Sequence, residues 1–369
     1  MMNPFYNKLA EIAIKYSTKV KEGQRVMIRG SNVAQELALA LYIEILKAGG
    51  HPFIDLYIEG EKEALLKYGD DNQIVYIDKV IMDAFDEFDA LISIRSTYNT
   101  HSFGAFDQKR VSKMVGSEAQ KKIYTTIQER EIKGELEWLV VPFPCEAYAQ
   151  EANMDIITYS EFMKKALFVD KEDPIGEYRK MNKKQEKIVN YLNETETIQV
   201  HGEDTNLTLS VKGRKWINCS GERNLPDGEV FTSPVEDSVN GHIRFTYPGI
   251  YSGQEVEDIY LEFKDGNVSK AEAAKNQDLL KHIIKIDGAN LLGEFAVGTN
   301  YGITQFTKNM LFDEKIGGTI HCALGFGPKE TGSKNESSIH WDILKDMSIE
   351  GSKILADDEI IYKEGEWKI

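Results

Sequence analysis

Cysteine is scarce in this 369-residue sequence: Cys145, Cys219 and Cys322 are scattered, with no Cys-x-x-Cys spacing among them. That scarcity excludes a disulfide scaffold and a structural zinc site closed by cysteines. Long apolar runs are also missing, and none approaches the roughly 20 residues a membrane helix needs. Basic residues are in deficit, 44 against 60 acidic ones, for a formal net charge of −16. Such a surface disfavours nucleic-acid binding, which needs cations against phosphate. No Gly-x-Ser-x-Gly elbow offers a serine nucleophile, and the turn Gly30-Ser31-Asn32 lacks both a Gly-x-Gly-x-x-Gly pattern and a Walker lysine. Internal repeats and low-complexity tracts are absent. The N-terminus, Met1-Met2-Asn3-Pro4-Phe5-Tyr6-Asn7-Lys8, has no basic-then-apolar layout of a secretory signal, so a cytoplasmic location is expected.

What is present has ordinary globular composition, 41% hydrophobic and 28% charged, and enough length for about two domains. The first half alternates helical and strand patterns. Tyr6 to Tyr16 and Ala34 to Ala48 repeat apolar residues at helical spacing, whereas Arg25 to Gly30, Pro52 to Tyr57, Ala90 to Ile94 and Trp138 to Pro142 read as strands. A βαβ series of this kind implies a mainly parallel sheet covered by helices. Pro174, after Lys171-Glu172-Asp173, and the amphipathic stretch Met181 to Leu192 mark the expected junction. From about residue 195 short β-prone runs separated by Gly, Asn and Asp turns replace the earlier pattern. The expectation is an N-terminal α/β domain over residues 1–175 and a C-terminal α+β domain over 176–369.

Ligand-type residues gather in that second half. His340 and Asp342 lie two positions apart in an extended run, so their side chains point the same way and one cation can take both. His321 sits in a second apolar run, Thr319 to Gly325, and pairing of the two runs would bring three donors together. Glu294 interrupts Leu291-Leu292-Gly293-Glu294-Phe295-Ala296-Val297-Gly298, where an unpaired carboxylate is costly to bury. Glu229 opens a β-prone run after a turn, and Asp313-Glu314 precedes His321. Imidazoles and carboxylates of this kind suit divalent ions, and a pair of such ions is a device for hydrolysis. Cys322, next to His321, points to the opposite face and is expected in the core.

The segments Asn224 to Pro234, Gly293 to Ala296, Phe312-Asp313-Glu314, Thr319 to Gly325 and His340-Trp341-Asp342 resemble, in order, the metal-site motifs of the thermophilic metallo-aminopeptidase family of the aminopeptidase T and S type. Pro234 to Gly241 and Gly298-Thr299-Asn300 extend the likeness. The resemblance implies removal of N-terminal residues from short peptides by a water that two divalent ions activate. Zinc, cobalt or manganese would be held by Glu229, Glu294, Glu314, His321, His340 and Asp342, with Glu229 and Glu294 catalytic and the general base open among the three glutamates. It also implies a homodimer. Two departures stand out: the spacing through Lys315-Ile316-Gly317-Gly318 is longer than in aminopeptidase T, and Pro328 replaces a tyrosine seven residues after the first histidine. Tyr301 and Lys308 are the nearby candidates to supply a donor in its place.

Two other readings compete. His321, His340 and Asp342 alone form a two-histidine, one-carboxylate set suited to mononuclear non-haem iron and ring-cleaving oxygen chemistry. A non-catalytic metal-dependent binding protein is the third.

Overall fold

The computed structural model describes residues 3–369. Chain contacts divide it into two compact units, the first running through Ile175 and including the short return Gly221–Leu225, the second formed by Gly176–Ser220 and Pro226–Ile369.

Four parallel strands make the sheet of the first unit: β1 (Arg25–Ser31), β2 (His51–Tyr57), β3 (Ala90–Arg95) and β4 (Glu137–Pro142), in the order β2-β1-β3-β4. Val26, Met27 and Ile28 of β1 are fully buried, as a strand covered on both faces requires. The helix Gln35–Lys47 returns the chain from β1 to β2 and buries Leu37, Ala38, Leu41 and Ile45. The helical period expected over residues 6–16 is Pro4–Ile12 followed by a π-helical turn, Ala13–Ser17. Asn3 caps it by accepting the Phe5 N–H.

The second unit is built on strands. In chain order these are β5 (Thr197–Gly202), β6 (Thr205–Ser210), β7 (Ile217–Cys219), β8 (Glu229–Thr232), β9 (Asn240–Arg244), β10 (Gly249–Tyr251), β11 (Gln254–Val256), β12 (Tyr260–Lys264), β13 (Asn267–Glu272), β14 (Leu292–Gly298), β15 (Thr319–Gly325), β16 (His340–Asp346), β17 (Lys353–Ala356), β18 (Glu359–Lys363) and β19 (Glu366–Trp367). An eight-stranded sheet runs β13-β12-β9-β6-β5-β17-β18-β19, a five-stranded one β16-β15-β14-β8-β7, and β10 and β11 form a two-stranded sheet. Every pairing in the five-stranded sheet is antiparallel. Ile198, Val200, Leu207, Leu261 and Ile354 from the larger sheet share one core with Val230, Phe295, Val297, Ile320, Cys322, Leu324, Trp341 and Ile343 from the smaller. Each such side chain withdrawn from water contributes about 1.5–3 kcal/mol, which makes this core the main force holding the two sheets together. Ile188 and Leu192 of the helix Pro174–Leu192 join it.

Those core residues alternate with a second set. On β14 they leave Glu294, Ala296 and Gly298 on the other face; on β15, His321, Ala323 and Gly325; on β16, His340, Asp342 and Leu344. One face of the small sheet is therefore hydrophobic core and the other carries the histidines and carboxylates of the three strands.

Candidate metal centre

Strand register brings the donors together. Glu294, Ala323 and Asp342 lie in one row across β14, β15 and β16, and His321 stands beside Ala296 one step along. His340 is paired with Gly325, and Glu229 at the start of β8 with Gly298. The residues between the donors are alanine or glycine, which leaves space above the sheet for imidazoles and carboxylates to lean inward.

They do lean inward. His321 Nε2 is 3.1 Å from Glu294 Oε1, 3.4 Å from Glu229 Oε2 and 4.0 Å from Asp342 Oδ1. His340 Nε2 is 3.3 Å from Asp342 Oδ1 and 3.9 Å from Glu294 Oε2. Two groupings of metal-ligand type result, Glu229–Glu294–His321 and Glu294–His340–Asp342, with Glu294 common to both. The His321 side chain is 1% exposed, whereas that of His340 keeps 31% of its surface open. His340 Nδ1 lies 2.8 Å from the Phe326 carbonyl, to which it donates as Nδ1–H, leaving Nε2 free to face the carboxylates.

The electrostatics point to cations. Burial opposes charge on His321, but its hydrogen bond to Glu294 and the charges of Glu229, Asp342 and Glu294 outweigh burial and raise its pKa to about 9. Burial likewise opposes charge on His340, and Asp342 and Glu294 overcome it, driving the pKa well upward. Asp342 is held below the ordinary carboxylate range: burial would raise it, but the facing His340 and His321 charges and Lys315 lower it further. Glu229 Oε2 and Asp342 Oδ1 are buried yet accept no hydrogen bond. Buried carboxylate oxygens without donors are costly, and together with two imidazole nitrogens they match the ligand chemistry of a divalent ion.

Of the six ligand candidates read from the sequence, five converge here. The sixth, Glu314, belongs to neither grouping; its carboxylate meets the Lys315 ammonium. Asp313, beside it, is fully buried and accepts from both the N–H and the hydroxyl of Thr307. Burial raises its pKa to about 8 against the lowering effect of those donors. A carboxyl whose folded pKa lies above the unfolded one takes up a proton on folding, so its contribution falls as pH rises from about 4 to about 8, by at most about 1.4 kcal/mol per pH unit. Asp313→Asn should therefore raise the melting temperature more at pH 9 than at pH 5. Equal shifts at the two pH values in thermal melts would show that Asp313 does not hold its proton in the folded chain.

The two residues weighed as replacements for the family tyrosine are committed elsewhere. Tyr301 donates its hydroxyl to the Gly365 carbonyl, and Lys308 pairs with Glu255 at 2.6 Å. Pro328 precedes a single 3-10 turn, Lys329–Thr331. Three participants escape sequence reasoning. Lys315 is fully buried against Glu229 and Glu314. Gln185 holds the β7–β8 pair in place by donating to the carbonyls of Glu229 and Cys219. Cys219, paired with Glu229 in the ladder, completes a third grouping with Asp227 and Glu229. Its thiol is pushed far up by burial and by the Asp227 and Glu229 charges, which disfavours the thiolate a metal needs. Only the adjacency of Lys315 to Glu314 is visible in the sequence; the other contacts are made by tertiary pairing.

Comparison with known proteins agrees with this chemistry. The family model for thermophilic metalloproteases (M29) matches residues 3–367. Aminopeptidase 2 of Geobacillus stearothermophilus is 26% identical over 408 residues, covering 98% of this chain and 97% of that protein. Aminopeptidase T of Thermus aquaticus is 25% identical over 407 residues, covering 98% of each. In fold, the chain is similar to the solved structure of wild-type AmpT from Thermus thermophilus, with a TM-score of 0.86 and 22% identity over 99% of both chains. With donors suited to a divalent ion on one sheet face and a family match along almost the whole sequence, the chain belongs to the thermophilic metalloprotease family M29 and is a metal-dependent peptidase.

Proposed function

We propose that this chain is an aminopeptidase that removes N-terminal residues from short peptides and uses two divalent ions, zinc, cobalt or manganese. The observation carrying this reading is Glu294, which turns Oε1 toward His321 and Oε2 toward His340, one oxygen for each grouping. Glu229, Glu294 and His321 would hold one ion; Glu294, His340 and Asp342 the other. Bound there, paired ions polarise a scissile carbonyl, lower the pKa of water and anchor a free amine.

The protein's own groups do the rest. The Phe326 carbonyl fixes the His340 tautomer, and the alanine and glycine positions keep the face open. Glu229 and Glu294 are the carboxylates positioned to accept a proton from water and pass it to the departing amine. The greater exposure of His340 makes its grouping the one nearer to entering substrate. The relatives are named aminopeptidases, which supports specificity for a free N-terminus. Glu229 and Glu294 stand within the same cluster as the two histidines, so the two-histidine, one-carboxylate set of an iron oxygenase is not isolated here.

The test compares amino-acid p-nitroanilides with their N-acetylated counterparts after metal removal and add-back of zinc, cobalt or manganese. Cleavage of the free-amine substrates alone, restored by metal, is expected. Equal cleavage of the acetylated substrates would rule out the aminopeptidase reading. A homodimer belongs to the same proposal, and light scattering on the eluting protein measures it.

A further inference from the structure

Lys315 is a cation at the centre that the proposed chemistry does not use. It is fully buried. Its ammonium contacts Glu314 Oε1 and stands 3.2 Å from Glu229 Oε1, on the side of Glu229 away from the oxygen that faces His321. An ammonium withdrawn from water costs several kcal/mol unless anions meet it, so its position is set by these two carboxylates.

Backbone geometry fixes it there. Gly298, opposite Glu229 in the ladder, lets the 315–316 segment come close: a Cβ at that position would lie 2.1 Å from the Ile316 carbonyl oxygen. Asn300 clamps the segment from both sides, its N–H donating to the Lys315 carbonyl and its own carbonyl accepting from the Gly317 N–H. The stretch of chain between Glu314 and His321 thus delivers an ammonium into the cluster.

We propose that Lys315 is a built-in cation that keeps Glu314 out of the metal cradle and engages one oxygen of Glu229, making the two ion positions unequal. The ion held by Glu294, His340 and Asp342 binds first and tightly. The ion held by Glu229, Glu294 and His321 binds second and weakly, because Glu229 is shared with an ammonium and that ammonium repels a dication. Lys315 acts through Glu229 and Glu314 and is a positioning residue. This inference rests on the two-ion reading above and deepens it.

Calorimetric titration of the metal-free full-length protein with Mn²⁺ or Zn²⁺ reads the two affinities without reference to activity. In the native sequence, two steps separated by at least about tenfold are expected, and Lys315→Met should tighten the second by about tenfold or more while moving the first less than about threefold. Adding Glu314→Gln to Lys315→Met should remove the share of that tightening which the released Glu314 provides and leave the share that comes from freeing Glu229 and removing the ammonium. Unchanged or weaker second-ion binding in Lys315→Met, or a double variant that binds the second ion as tightly as Lys315→Met alone, would overturn the proposal. Should Lys315→Met fail to fold, two equal steps in the native protein would overturn it alone. No divalent binding at all would instead remove the two-ion reading beneath it.

Discussion

Glu294→Ala is expected to lower kcat/KM toward an amino-acid p-nitroanilide by at least about a thousandfold, a loss of about 4 kcal/mol of transition-state stabilisation. It should also reduce the divalent metal retained per chain after dialysis. The physical reason is that a single carboxylate serves both groupings, Oε1 at 3.1 Å from His321 Nε2 and Oε2 at 3.9 Å from His340 Nε2. Removing it leaves each grouping one histidine and one carboxylate, and neither side chain can be replaced from the strand, where Ala296 and Gly298 are its neighbours on that face. Glu336→Ala, which removes an exposed acid of the same charge, should change neither quantity. Metal analysis and kinetics on the two variants settle it: a Glu294→Ala protein that retains both metal and turnover would place the chemistry elsewhere.

Acidification should strip the centre. In the metal-free protein the His321 ring keeps its proton up to about pH 9, since its carboxylate neighbours overcome the opposing effect of burial, and His340 is shifted in the same direction. A dication must displace those protons, so its apparent affinity should climb by about tenfold per pH unit for each proton released. Between pH 6 and pH 8 the gain is about a hundredfold if His321 alone responds. Stability of the metal-free form runs the other way. A histidine whose folded pKa exceeds its unfolded value stabilises fully below the unfolded pKa of about 6.5 and loses that contribution as pH rises through the folded value. Metal-free protein should therefore melt lower at pH 9 than at pH 6.5, and bound metal should shrink or reverse the difference. Metal affinity that stays flat from pH 6 to pH 8 would show that these imidazoles are not the groups displaced.

Much of this centre was legible because alternation in a strand is a local property. His340 and Asp342 share a face by spacing alone, Cys322 was placed opposite His321 by the same rule, and Glu294 identified itself as an acid inside an apolar run. The parallel sheet of the first unit was legible in the same way, from four short apolar runs alternating with helical ones. What escaped depends on contacts across the fold. Glu314 reads as a sixth ligand because it precedes His321 in a familiar order; in the fold its carboxylate meets the Lys315 ammonium, where the 315–316 backbone approaches Gly298. Nothing in the local pattern announces that a lysine will be buried there. Gln185 is equally silent: its helix lies far upstream in sequence, and its bonds to the Glu229 and Cys219 carbonyls exist only once β7 and β8 have paired. The division of the second half into an eight-stranded and a five-stranded sheet also lay beyond reach, because short strands of similar composition do not declare their neighbours.

The two-sidedness of the small sheet couples assembly to chemistry. A slip of one residue that moved β16 against β15 would turn Ile343 toward water and thrust the His340 imidazole and the Asp342 carboxylate into the oil, so hydrophobic burial itself works against a pairing that parts the donors. The peptidase has no need of a separate step to arrange its reactive groups: once the greasy side has closed, the wet side is already assembled.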